Sequence, residues 1–117
     1  MIIVYGISNC DTVKKARTWL TAHAQPHTFH DFKKSGVPAD LLAAWVHTVG
    51  APKLLNRQGT TWRKLDTNAQ QAASSDAGAT VLMLAQPSVI KRPVVHWGHG
   101  QISVGFDPAA WAARVLT

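Results

Sequence analysis

Cysteine occurs once in the 117 residues, as Cys10, so an internal disulfide is excluded. Acidic residues are also scarce: 6 Asp and Glu stand against 12 Lys and Arg, a formal charge of +6. That balance suits an anionic partner such as nucleic acid, an oxyanion or a small acidic thiol. The basic residues are scattered in short pairs, however, and no run of basics interleaved with aromatics makes a nucleic-acid footprint. Nucleic acid is therefore not the expected partner. Long apolar runs are missing, which argues against a membrane span, and Met1 to Gly6 lacks the charged region and apolar length of a signal peptide. The expected compartment is the cytoplasm, with no membrane partner. The chain has neither an internal repeat nor a low-complexity segment, and its length suits one domain with its own core.

What is present is concentrated near the start. Ile2, Ile3 and Val4 form a short apolar run of buried-strand character, and Val13, Ala16 and Leu20 follow at helical spacing. Between them lie Gly6, which relieves the backbone at a turn, and Ser8, Asn9 and Asp11, residues that enter helices. The single cysteine sits among them. At a helix start a thiol meets unpaired backbone N–H groups and the positive end of the helix dipole, with Lys14 and Lys15 close behind, a setting that favours thiolate. Cys10 is the expected nucleophile.

The rest of the chain falls into a readable order. A helix is expected from about Thr12 to His23, closed by Gln25-Pro26, and His27 to Phe32 reads as a second strand, completing a βαβ unit over 1–32. Lys33 to Pro38 is a turn cluster, and Leu41, Leu42, Trp45 and Val46 mark a helix over Ala39 to Val49. Residues 53–65 carry too many turn formers for one element, and two more helical segments are expected over Thr67 to Ser75 and Ala79 to Leu84. Together these make a helical insert over about 38–85. Val94 to Trp97 and Gln101 to Val104 form a hairpin around Gly98-His99-Gly100, and Asp107-Pro108 opens a last helix that buries Trp111 and Val115, giving a ββα unit over 89–117. The class is α/β, with a mixed four-stranded sheet and helices on both faces. The pair His96 and His99 has no convincing further ligands, so no metal site is expected.

Four segments carry a resemblance: Tyr5-Gly6-Ile7-x-x-Cys10-Asp11-Thr12-x-Lys14-Lys15-Ala16, Leu54-Leu55-Asn56, Gly59 to Leu65, and Ile90-Lys91-Arg92-Pro93-Val94. Over nearly its whole length the chain resembles the arsenate reductase-like (ArsC/Spx) family of thioredoxin-fold proteins. It is most similar to the YffB branch of glutathione-dependent thiol reductases. The resemblance implies one thioredoxin-like domain over 1–117, with Cys10 as nucleophile and Arg92 beside a cis-proline, Pro93, next to the thiol. A guanidinium there can hold two oxygens of an anion in a bidentate fork. Arsenate reductases of this family use three arginines. The middle one aligns with Asn56, or with Arg57 one position later, and the last falls near Gly105, where no basic residue stands. Spx regulators carry Cys-x-x-Cys, whereas the position three after Cys10 is Val13, so no disulfide can close within the motif.

The function implied is thiol reduction through one cysteine, with glutathione as co-substrate, no tightly bound cofactor, and an unknown disulfide or mixed disulfide as the other substrate. Glutathione carries two carboxylates, and Asn9, Lys14, Asn56, Arg57, Arg63, Arg92 and Pro93 are the candidates to bind it, with Cys10 and Arg92 in the catalytic roles. The chain is expected to be a monomer. The alternatives are an arsenate or related oxyanion reductase, set back by the missing third arginine, and, outside catalysis, an Spx-like module that binds RNA polymerase.

Overall fold

The computed structural model describes residues 1–115, so the last two positions of the expected ββα unit lie outside the described residues. The chain divides into two compact units, one formed by Met1–Ser35 with the chain from Arg92 onward, the other by Gly36–Lys91.

The first unit is built on a four-stranded sheet. Strand β1 (Ile2–Gly6) leads into helix α1 (Asp11–Ala22), which returns the chain to strand β2 (His27–Asp31), parallel to β1. A single helical turn, α2 (Phe32–Ser35), follows at once. This turn overlaps both the expected second strand, which runs to Asp31 and not Phe32, and the expected turn cluster. Its cause is local: the Asp31 carboxylate accepts the Lys33 backbone N–H at 2.9 Å, which ends the strand and starts the turn.

After the second unit the chain re-enters the sheet as β3 (Val94–Gly98), antiparallel to β1, and β4 (Gln101–Val104), antiparallel to β3, giving the order β2-β1-β3-β4. The loop of this hairpin is His99-Gly100, both with positive φ (54° and 74°), the conformation that matches the twist of paired strands. Gly98 belongs to the strand, opposite Gln101.

One face of the sheet carries the core of this unit. Ile2 and Val4 from β1 and Val95 from β3 lie against Ala16 and Leu20 of α1, spaced one turn apart, and against Trp111. Trp111 belongs to the last helix, α8 (Pro108–Val115), which starts as its sequence demands: Pro108 takes the first helical position and the Asp107 carboxylate accepts the Ala110 N–H at 3.2 Å. Its indole is an aromatic hub, meeting Trp19, Trp97 and Phe106 edge-on with ring centroids 5.6, 5.0 and 4.8 Å away. The Trp97 indole N–H in turn donates to Ser103 Oγ at 2.8 Å, so the hub has no stranded donor at that ring.

The second unit is helical: α3 (Ala39–Val49), α4 (Ala51–Leu54), α5 (Thr60–Lys64), α6 (Thr67–Ala72) and α7 (Asp76–Ala85), with a 3-10 turn at Pro87–Val89. The stretch read as irregular resolves into α4 and α5. The helix expected to run to Ser75 ends at Ala72, because Ser75 caps the next one: its Oγ accepts the Gly78 N–H at 3.1 Å, so α7 begins at Asp76 and not Ala79. The buried side chains Leu42, Trp45, Leu54, Ala79, Met83, Val89 and Ile90 form the interior of this unit, which a bridge between Leu55 and Ile90 closes.

Removing the aromatic hub should cost the first unit its anchor. Trp111→Ala is expected to destabilise the protein by about 3–5 kcal/mol through lost burial and the cavity left behind, read as a lower urea midpoint.

Candidate functional site

Cys10 is the N-cap of α1, with extended backbone (φ −145°, ψ 119°), and its carbonyl already accepts the first helical bond from the Lys14 N–H at 3.0 Å. The cap position is one that Ser, Asp or Asn would use to bind the free N–H groups of the first turn. Here a half-buried thiol occupies it and makes no capping hydrogen bond. The sulfur thus stands at the end of a 12-residue helix where the backbone favours negative charge. Exposed Lys14 and Lys15 add positive charge, and exposed Asp11 in the first turn opposes them.

Gly6 draws the other half of the site towards this turn. A Cβ at Gly6 would come within 2.9 Å of Val13 Cγ2 and 3.9 Å of Arg92 Cβ. The end of β1 and the first turn of α1 can approach this closely only because residue 6 has no side chain, while Arg92 lies at ordinary contact distance from the same place. The register agrees: Tyr5 lies opposite Val94, so Arg92 and Pro93 run beside the start of the cysteine turn. The Arg92-Pro93 peptide bond is cis. Pro93 is buried, and its carbonyl accepts the Gly105 N–H at 2.9 Å, while Arg92 is half-buried. Behind the turn Tyr5 is 5% exposed, and burial pushes its phenol above the ordinary tyrosine range, so it stays neutral. Its ring lies against His30 and Phe32, with centroids 5.1 and 6.3 Å away.

Five of the expected residues therefore belong to the first unit: Cys10, Asn9, Lys14, Arg92 and Pro93, with Asn9 exposed in the turn. Asn56, Arg57 and Arg63 belong to the second. There Asn56 serves its own loop, since its Oδ1 accepts the Gln58 N–H at 3.2 Å and its own N–H donates to Val89 O at 2.8 Å, holding the turn that leads to Gly59. Arg57 is exposed, with its guanidinium 5.5 Å from the centroid of the Trp62 ring, and borders a small cleft of about 250 Å³ with Lys91. Arg63 is exposed on α5. Position 13, where a second cysteine would complete a Cys-x-x-Cys pair, holds a valine that is 1% exposed and packed beneath Gly6. Among the described residues no group of three or more His, Cys, Asp or Glu is gathered to hold a metal ion.

The sequence profile of the ArsC family matches residues 5–114, which spans the cysteine turn, the cis-proline step and the entry to α8. The chain belongs to the ArsC family. Its fold is that of the solved YFFB protein, with 49% identity, a TM-score of 0.90 and 97% of each chain covered. An arsenate reductase (ArsC) related protein from Brucella melitensis is 47% identical, with a TM-score of 0.77, covering 99% of this chain and 95% of that one. An uncharacterised protein of Haemophilus influenzae is 37% identical over 113 residues, 97% of each sequence. Within this ArsC-family chain, Gly6 matters more to the site than its sequence signal conveys. The sequence marks it as a turn glycine, but it also lies where a side chain would meet Val13 and reach the neighbourhood of Arg92, far along the chain.

Gly6→Ala is expected to force Val13 aside and to lower stability by about 1–3 kcal/mol, the usual cost of overpacking. Urea denaturation would give that loss, and thiol alkylation kinetics would report the displaced Cys10 turn.

Proposed function

We propose that this ArsC-family protein is a thiol reductase that works through Cys10 alone and uses glutathione as co-substrate. One observation carries the reading: the single thiol caps α1 at the same turn that Gly6 packs against Val13 and Arg92. In the first step the Cys10 thiolate attacks the glutathione sulfur of a glutathionylated thiol. A bond forms between Cys10 and glutathione as the old S–S bond breaks, and the released thiolate takes up a proton. A second glutathione thiolate then attacks the glutathione sulfur of the adduct. Oxidised glutathione leaves and the Cys10 thiolate is restored. The cycle requires one protein cysteine, which is the number this chain has.

Arg92 and Lys14 are the groups in the first unit suited to the carboxylates of glutathione, Arg92 as a bidentate partner and Lys14 as a point charge. Asn9 and the backbone beside Pro93 complete the proposed contacts there, and Asn56, Arg57 and Arg63 are the candidates from the second unit. The arsenate alternative is weakened by Gly105, which stands where the third oxyanion arginine is expected, and by the local hydrogen bonds of Asn56. A redox switch of the Spx kind has no second cysteine to close on, since Val13 fills that place.

Incubation with oxidised glutathione followed by intact mass measurement tests the reading. Wild type should gain one glutathione, and Cys10→Ser none. Arg92→Ala should slow adduct formation more than Arg63→Ala does. A lost charge-assisted contact of about 1.5–3 kcal/mol corresponds to roughly a tenfold to hundredfold effect. Equal rates for wild type and Arg92→Ala would remove Arg92 from the site.

A further inference from the structure

The Cys10 turn borders, through Ser8 and Lys14, a groove of which the chemistry above uses only Lys14. Lys14, Arg17, Thr18 and Thr21 share one stripe along α1, the helix whose N-cap is Cys10. Beside that stripe runs a groove of about 690 Å³, lined among others by Ser8, Lys14, Arg17, Thr18, Thr21 and His27, with no carboxylate in its lining.

Arg17, exposed on α1, lines this groove and meets two side chains of β2. Its guanidinium carbon sits 4.5 Å from the centroid of the Phe29 ring, and its Nε lies 3.5 Å from His27 Nε2. His27 Nδ1 is 3.1 Å from the Gln25 carbonyl oxygen, which assigns the ring proton to Nδ1 and leaves Nε2 free to accept from Arg17. The protein thus uses Nε and the flat face of the guanidinium. Its two terminal amino groups have no hydrogen-bond partner among the described residues, and they are the fork that a carboxylate fits. A flexible arginine held by two internal contacts has already lost part of the freedom that binding would otherwise cost.

We propose that the groove receives an extended acidic segment of a protein substrate, whose glutathionylated cysteine reacts at Cys10 while a carboxylate nearby in the segment pairs with Arg17. Seven helical residues at 1.5 Å each put Arg17 roughly 10 Å along α1 from Cys10. Three extended residues also span roughly 10 Å. The carboxylate therefore sits about three positions from the reacting cysteine. This inference rests on the proposed exchange at Cys10 and names the class of protein thiol it serves.

Two synthetic peptides test it, Glu-x-x-Cys-x-x-Glu and its Gln counterpart, each with the cysteine carried as a mixed disulfide with glutathione. Attack by the Cys10 thiolate on the glutathione sulfur forms the Cys10–glutathione bond, breaks the peptide's disulfide and releases the peptide thiol, whose appearance by mass gives the rate. At low ionic strength wild type should favour the Glu peptide by about fivefold, the worth of one exposed charge-assisted contact. That ratio should fall towards one with added salt and in Arg17→Gln, and Arg17→Lys should retain part of it. Circular dichroism checks that each variant is folded, and the salt dependence of the wild-type ratio stands even if Arg17→Gln does not fold. A wild-type ratio of one, or a ratio untouched by Arg17→Gln, would overturn the groove's role and leave the Cys10 reading intact. Absence of release from both peptides would overturn the two together.

Discussion

The close approach at Gly6 is the constraint on which the site depends. A strand end, a helix start and the chain re-entering from a distant segment meet where a methyl group would touch Val13 and lie against Arg92. Two consequences follow from that crowding. The helix start is fixed against the sheet, so the thiol at its cap is held at the positive end of α1. Arg92 is brought to the same turn by the pairing of Val94 with Tyr5, although it lies 82 positions from Cys10 in the sequence.

The core serves this arrangement from one face of the sheet. Leu20, Ala16 and Val13 recur on the inner side of α1 and leave its outer stripe, with Lys14 and Arg17, to solvent. Trp111 closes the same face through three edge-on aromatic contacts. The helix capped by Cys10 is thus anchored along its inner side from Val13 to Leu20, with Cys10 half-buried at its start. Rigid placement of a nucleophile on a helix, with binding groups on neighbouring loops, is the usual division between scaffold and function.

Much of this is legible in the residues themselves, and the exceptions have physical causes. The strand-turn-helix around Cys10, the hairpin and the Asp107-Pro108 helix start are written in local chemistry: apolar spacing, glycine and capping residues. The α2 turn is hidden because Asp31 ends the strand by binding the Lys33 N–H, and the apolar and aromatic alternation runs straight through it into Phe32. Ser75 is a cap signal of the ordinary kind, masked by neighbouring small polar residues, and so the border between α6 and α7 is hard to place from sequence. Asn56 draws attention through its resemblance to an oxyanion ligand, yet its side-chain oxygen is engaged by Gln58. Arg17 carries no local signal at all. Its partners His27 and Phe29 lie on β2, and only its place on the same face of α1 as Lys14 marks it.

Glutathione-dependent turnover of a glutathionylated peptide tests the central claim most directly. A single thiol that takes up the glutathionyl group and then hands it to a second glutathione should show ping-pong kinetics, with the Cys10 adduct visible by mass during turnover and no turnover in Cys10→Ser. Turnover that survives Cys10→Ser, or a wild-type protein that neither forms the adduct nor turns over, would contradict it.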